Sequence, residues 1–224
     1  MSADMNRFFR LALIAAPFYA GFAAQEPPQA VVARMEQALS SLTTLQADFE
    51  QSYYSATVQT PLRQKGRMYF KKPDAMRWEY TTLEKNIYVF KDGLLLSYFP
   101  EDNQLWRQRI PKEKYETEIL AFFAGQGGLS QKYIVEDNPF PGGAAGNAQL
   151  KLTPKEEGEY SYLLLEIDRA SALIRRAVFF DWGGNKREFA FSKFKTGGKL
   201  DDGLFRIKVP ADCEIIDDAG TVKR

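Results

Sequence analysis

Among the side chains that could do chemistry, the carboxylates Asp92, Glu101, Asp102, Asp201 and Asp202 come first, because two acids suffice for glycoside hydrolysis. All five stand at turn signals, where a solvated acid ordinarily caps or turns the chain. Composition excludes most other catalytic sets. The 224 residues contain no histidine, so there is no Ser-His-Asp triad, Cys-His pair, imidazole relay or histidine metal site. Cys213 is the one cysteine, which removes internal disulfides, CxxC redox chemistry and Cys-rich zinc sites; it reads as a buried thiol. Gly183-Gly184 is turn chemistry outside any phosphate-loop context. Lys and Arg number 30 against 29 Asp and Glu, so the charge excess of a nucleic-acid binder is missing. Arg175-Arg176 and Lys193/Lys195 could mark a docking face, or simply protect strands from association. The expectation is a protein that binds, without enzymatic activity, cofactor, metal or nucleic acid.

The N-terminus carries Arg7 and Arg10 ahead of an apolar run from Leu11 to Ala24, broken by Pro17 and Gly21. At roughly 15 residues the run is short of the roughly 20 that cross a bilayer. It reads as a secretory signal, with cleavage after about Ala23 behind the small-x-small Gly21-Phe22-Ala23. Removing residues 1–23 takes away Arg7, Arg10 and Asp4 and leaves equal numbers of either charge. Export without a disulfide suits a bacterial periplasm. Residues 24–224 show no repeat, linker or composition break and read as a single domain.

These binding residues must be held by elements of two periods. Pro27-Pro28 opens an amphipathic helix from Gln29 to Thr44, with Val31, Val32, Met35, Leu39 and Leu42 on one side. From Leu45 the period changes to two. Strands follow at Leu62–Phe70, Ala75–Thr81, Asn86–Phe90, Leu94–Phe99 and Gln104–Ile110, punctuated by Lys72-Pro73-Asp74, Lys91-Asp92-Gly93 and Pro100–Asn103. A second apolar helix is expected at Lys112–Gly125. Strands resume at Lys132–Glu136, Ala148–Thr153, Tyr160–Asp168, Leu173–Asp181, Lys186–Lys195 and Phe205–Val209, with a long mobile loop at Asp137–Asn147. Within the strands Met76, Trp78 and Tyr80 share a face, as do Leu163, Leu165 and Ile167, and Phe189 and Phe191. About eleven strands around so many large side chains would enclose more space than the eight or so strands of a self-filled barrel.

The stretch Gly66-Arg67-Met68-Tyr69-Phe70-Lys71-Lys72-Pro73-Asp74-Ala75-Met76-Arg77-Trp78-Glu79-Tyr80 resembles the signature of the periplasmic outer-membrane lipoprotein carrier family, LolA. Asp92-Gly93, Tyr98-x-Pro100 and Gln104 continue the match, and Leu200-Asp201, Phe205 and Pro210 complete it. The resemblance implies a mostly β, α+β fold: an incomplete, strongly curved antiparallel barrel of about eleven strands, with a helical lid over an apolar cavity. It implies a monomeric carrier that takes acylated lipoproteins from an inner-membrane ABC transporter and delivers them to an outer-membrane receptor. The cavity would be lined by Phe49, Met68, Phe70, Met76, Trp78, Tyr80, Ile87, Val89, Leu96, Tyr98, Leu163, Leu165, Phe189 and Phe191. The lid would present Val31, Met35 and Leu39 from the first helix and Ile119, Leu120, Phe122 and Phe123 from the second. Lys72 falls where the family has an arginine that latches the lid through helix carbonyls, and Met76 replaces a cavity aromatic. Two other readings stand beside this one: a periplasmic lipid-binding or sensor domain of the same fold, and a carboxylate-dependent hydrolase.

Overall fold

The computed structural model describes residues 26–58, 60–111 and 128–218, and the backbone of 222–223. Pro28 occupies the first turn of helix α1 (Pro28–Ser41), where its missing N–H costs nothing. Val31, Val32, Met35 and Leu39 recur at helical spacing and are completely buried. Strand β1 (Thr44–Tyr54) follows directly, then β2 (Leu62–Lys71), β3 (Ala75–Tyr80), β4 (Ile87–Lys91), β5 (Leu94–Phe99) and β6 (Gln104–Arg109). Asp92 and Gly93 both have positive φ, the two-residue hairpin turn whose twist matches that of the flanking strands. A one-turn helix α2 (Leu129–Lys132) leads into β7 (Tyr133–Asp137), β8 (Ala148–Pro154), β9 (Tyr160–Ile167), β10 (Ile174–Asp181) and β11 (Lys186–Thr196). The chain closes with β12 (Glu214–Asp217) and β13 (Val222–Lys223).

All thirteen strands join one sheet in the order β13-β12-β6-β5-β4-β3-β2-β1-β11-β10-β9-β8-β7. Every pairing is antiparallel except β12 on β6, which is parallel. The expected strongly curved, incomplete barrel of about eleven strands is therefore corrected. The sheet is open, with β7 and β13 at its two ends and no pairing between them. Alternation along a strand fixes which side chains are buried, not how the sheet's ends meet. Here both faces find their own cover, so apolar burial does not require closure.

On one face, α1 lies on a continuous core formed with β1–β4 and β7–β11. The opposite face is covered in two places. The segment after β11 lays Leu200 and Phe205 on Ala75 and Val89, and Cys213 on Tyr98 and Leu105. Phe140 packs on Leu164 and Val178. Its loop, expected to be mobile, is tied down: the carboxylate of Glu166, only 5% exposed, accepts from the Ala144 N–H at 2.9 Å and from Asn147 Nδ2 at 2.7 Å. Phe205–Val209, expected as a strand, is instead the end of a 3-10 turn (Asp202–Phe205) and extended chain. The second expected helix, with Ile119, Leu120, Phe122 and Phe123, lies outside the described residues.

Candidate functional site

The α1-covered face is built on Gly66. A Cβ there would lie 2.4 Å from the Phe49 ring and 2.2 Å from the Glu79 carbonyl, so only glycine lets Phe49 settle on β2. From that seat Phe49 meets Trp78 at 4.7 Å between ring centroids and Tyr80, edge-on, at 5.0 Å. Trp78 reaches Phe189 at 5.7 Å, and Tyr80 reaches Tyr88 at 5.8 Å. Edge-to-face contacts of this kind suit the ring quadrupoles and carry the cluster across strands from β11 to β4.

Beneath α1 this face is densely packed. Toward the Gln51 end of β1 and the Leu62–Gln64 end of β2, a half-open groove of about 490 Å³ remains, lined by Trp78, Tyr80, Tyr88, Leu95 and Phe189, with Leu62 and Leu83 at its rim. Gln51, Gln64, Glu84, Asn86 and Arg187 supply its polar wall. Tyr80 donates to Gln51 Oε1 at 2.5 Å, and burial pushes its phenol well above the ordinary range. Burial likewise raises the Tyr88 phenol. Both hydroxyls are neutral donors at any physiological pH. Rim residues Leu62 and Leu83 are more than half exposed. The arrangement offers aromatic contact area and a few hydrogen-bonding groups, a lining chemically suited to an apolar group with a polar end.

Ten of the residues expected at the cavity gather on this face: Phe49, Met68, Phe70, Met76, Trp78, Tyr80, Leu163, Leu165, Phe189 and Phe191. Val31, Met35 and Leu39 of α1 pack on them. Ile87, Val89, Leu96 and Tyr98 do not join; they lie on the opposite face with Leu200, Phe205 and Cys213. Register decides this, since Met76 pairs with Phe90 and Trp78 with Tyr88, while Val89 pairs with Arg77. Tyr88, Phe90 and Leu95 were therefore missed. The run Ile87-Tyr88-Val89-Phe90 is apolar on both sides, so alternation gives no choice of face. Counting back from the Asp92-Gly93 turn, which sets Phe90 opposite Leu95, was the signal that could have found them.

Lys72, at a cis Lys72–Pro73 bond in the β2–β3 turn, donates through Nζ to the Ser40 carbonyl in the last turn of α1. Its own N–H bonds the Thr43 carbonyl at 2.9 Å. A cation on free carbonyls at a helix C-terminus is favourable both as donor and against the helix dipole. Midway along α1, Arg34 pairs with Glu26 at 2.9 Å and donates to the Arg169 carbonyl at 2.5 Å.

Two of the turn acids, Asp201 and Asp202, hold the chain through their side chains. Asp201 accepts from the Gly203 N–H, Asp202 pairs with Lys71 at 2.7 Å, and the Asp92 N–H is held by Asp74. Of the cationic pairs, Arg175 is tied to Asp168, Arg176 to Glu188 and Lys193 to Asp48. Among the described residues no three of His, Cys, Asp or Glu come together as metal ligands.

Comparison with known proteins places this geometry. The model of the family "Outer membrane lipoprotein carrier protein LolA" matches residues 40–208. The chain is 30% identical to an outer-membrane lipoprotein carrier protein of Methylococcus capsulatus over 203 residues, covering 88% of this chain and 92% of that protein. It is 23% identical to the protein of the same name from Dechloromonas aromatica, over 83% of this chain and 86% of the other. Among solved structures, an uncharacterized conserved protein of Thermus thermophilus superposes with a TM-score of 0.54 at 19% identity, over 84% of this chain and 98% of that one, which is a likeness of fold. The match runs from the end of α1 through the turn of Lys72 and the aromatic strands to the segment covering the opposite face, and on it the chain belongs to the LolA family of outer-membrane lipoprotein carriers, periplasmic transport proteins rather than catalysts.

Proposed function

We propose that this protein holds the acyl chains of lipoproteins in the groove beside α1, against Trp78, Tyr80, Tyr88, Leu95 and Phe189. It receives them from an inner-membrane ABC transporter and passes them to an outer-membrane receptor. In this reading the chain is exported, cut after about Ala23, and works as a monomer without cofactor. The observation that carries it is the groove itself: about 490 Å³ of half-open aromatic space, within the roughly 300–1,000 Å³ of ligand sites and continuous with the core under α1.

The energetics fit a carrier. Each methylene withdrawn from water contributes about 0.8 kcal/mol, so one long chain resists release into the periplasm. Cargo that also displaced Val31, Met35 or Leu39 from Met68, Phe70 and Met76 would exchange one apolar contact for another, keeping net affinity moderate enough for hand-over. Lys72 on the Ser40 carbonyl would then set how readily α1 gives way.

Binding of a fluorescent acyl probe to the purified mature protein tests the reading. Leu95→Glu, on the half-buried wall, and Trp78→Glu, on the packed floor, should each weaken binding at least about tenfold while far-ultraviolet circular dichroism is kept. No binding by the parent protein, or unchanged binding by both folded variants, would overturn it.

A further inference from the structure

The α1-covered face changes character along its strands. Its central rows are aromatic and aliphatic, but toward the hairpin loops polar groups come in: Gln51 and Gln64 in the row of Phe189, then Arg187 in the row of Tyr53 and Leu62. Arg187 sits in register with Tyr53 of β1 and Phe179 of β10, two residues from Phe189 on the same face. It makes no ion pair and no side-chain hydrogen bond among the described residues. By contrast, the arginines of β2, β3 and β10 are all matched to carboxylates: Arg63, Arg67, Arg77, Arg175 and Arg176. The nearby Asp181 feels the Arg187 charge but is hydrogen-bonded to Asn185, which donates both its backbone and its side-chain N–H to it, and forms no ion pair with Arg187 among the described residues. The other charge on the groove, Glu84, accepts from Asn86 Nδ2 and belongs to the β3–β4 connection. Three to four strand spacings separate it from β11, roughly 15–19 Å along the sheet at about 4.8 Å each. At physiological ionic strength that exceeds the Debye length of about 8 Å.

We infer that Arg187 is the head-group site of the groove, and that the protein binds single-chain amphiphiles with an anionic head, a carboxylate or a phosphate, independently of any attached protein. This rests on the reading of the groove as an acyl site. The planar guanidinium offers paired donors to an oxyanion, and the Gln64 amide lines the same groove. The tail would run from Phe189 over Trp78 and Tyr80 to Tyr88 and Leu95. That path spans five strand spacings from β11 to β5, roughly 24 Å at about 4.8 Å each. One acyl chain is about 15 Å, half the hydrocarbon thickness of a bilayer, so the path accommodates it.

Palmitate and methyl palmitate, compared as competitors of a fluorescent acyl probe at pH 8, separate the two levels of the argument. Palmitate should bind about tenfold tighter than the ester, and Arg187→Gln should erase that difference by weakening palmitate alone, with Arg187→Lys retaining part of it. A lysophosphatidic acid of the same chain should show the same dependence if phosphate serves as well as carboxylate. Equal binding of acid and ester by the parent protein, or an Arg187→Gln loss shared by both, would overturn the head-group assignment while leaving the groove intact. Failure of the ester and the acid alike would remove the groove reading, and this inference with it.

Discussion

Gly66 and Lys72 show how much a single position decides here. At Gly66 a methyl group would collide with the Glu79 carbonyl and the Phe49 ring, and the carbonyl belongs to a paired strand that cannot step aside. Gly66→Ala should therefore destabilise the fold by about 1–3 kcal/mol, read as a lower urea midpoint with an unchanged slope. The Lys72 contact is exposed and correspondingly smaller. Lys72→Ala should cost no more than about 1 kcal/mol, while Lys72→Arg, which keeps both charge and donors, should cost almost nothing by the same urea titration. The sequence made both residues visible, Gly66 and Lys72 as parts of one motif. It gave no sign of Arg187, whose meaning depends on carboxylates elsewhere being occupied.

At the level of elements, α1 is tied to the sheet in its last turn and at its middle, and the β9–β10 turn forms the second tie. Asp168 accepts from the backbone and hydroxyl of Ser171 and from Arg175, and the neighbouring Arg169 carbonyl receives Arg34 from α1. The bonds from Ser171, before the Arg175 charge, hold the Asp168 carboxyl at about 2. Its folded value lies below its unfolded one, so its contribution is complete above about pH 4 and is lost as pH falls toward 2. Thermal melts of the parent protein should drop across that window, and Asp168→Asn should melt lower at neutral pH with a shallower acid slope. The helix α1, strands β1 to β11 and most turns, but not β12 and β13, could be read from periodicity and from Gly, Pro and Asp signals. The face chosen by β4 and β5 could not, because Ile87-Tyr88-Val89-Phe90 is apolar on both sides and only pairing breaks the tie. The ordering of the Pro139–Asn147 loop was equally hidden, since the buried Glu166 that holds it lies about twenty residues away.

For the whole molecule, the sheet acts as a partition with independent covers. Ligand exchange on the α1 side, as proposed, would leave the other side closed by Leu200, Phe205 and the strand β12, which Asp217 fastens to Arg107 with bonds of 2.6 and 2.8 Å. Cys213 reports on that closure: it is buried, and burial pushes its thiol up, away from the reactive thiolate. Labelling by a thiol reagent should be slow in the native protein, unaffected by acyl ligands, and several-fold faster in Asp217→Ala, while the aromatic signal of Trp78 is unchanged. Closure was the feature least legible in advance, because strand count and alternation are the same for an open sheet and a barrel.

The parallel seam between β6 and β12 joins pieces of chain more than a hundred residues apart. As the chain folds, Val89, Leu96 and Tyr98 stay bare until Leu200, Phe205 and Cys213 come back to cover them. A chain cut before Leu200 would keep the α1 side but carry a sticky reverse side, and for such a product the expected fate is self-association or proteolysis.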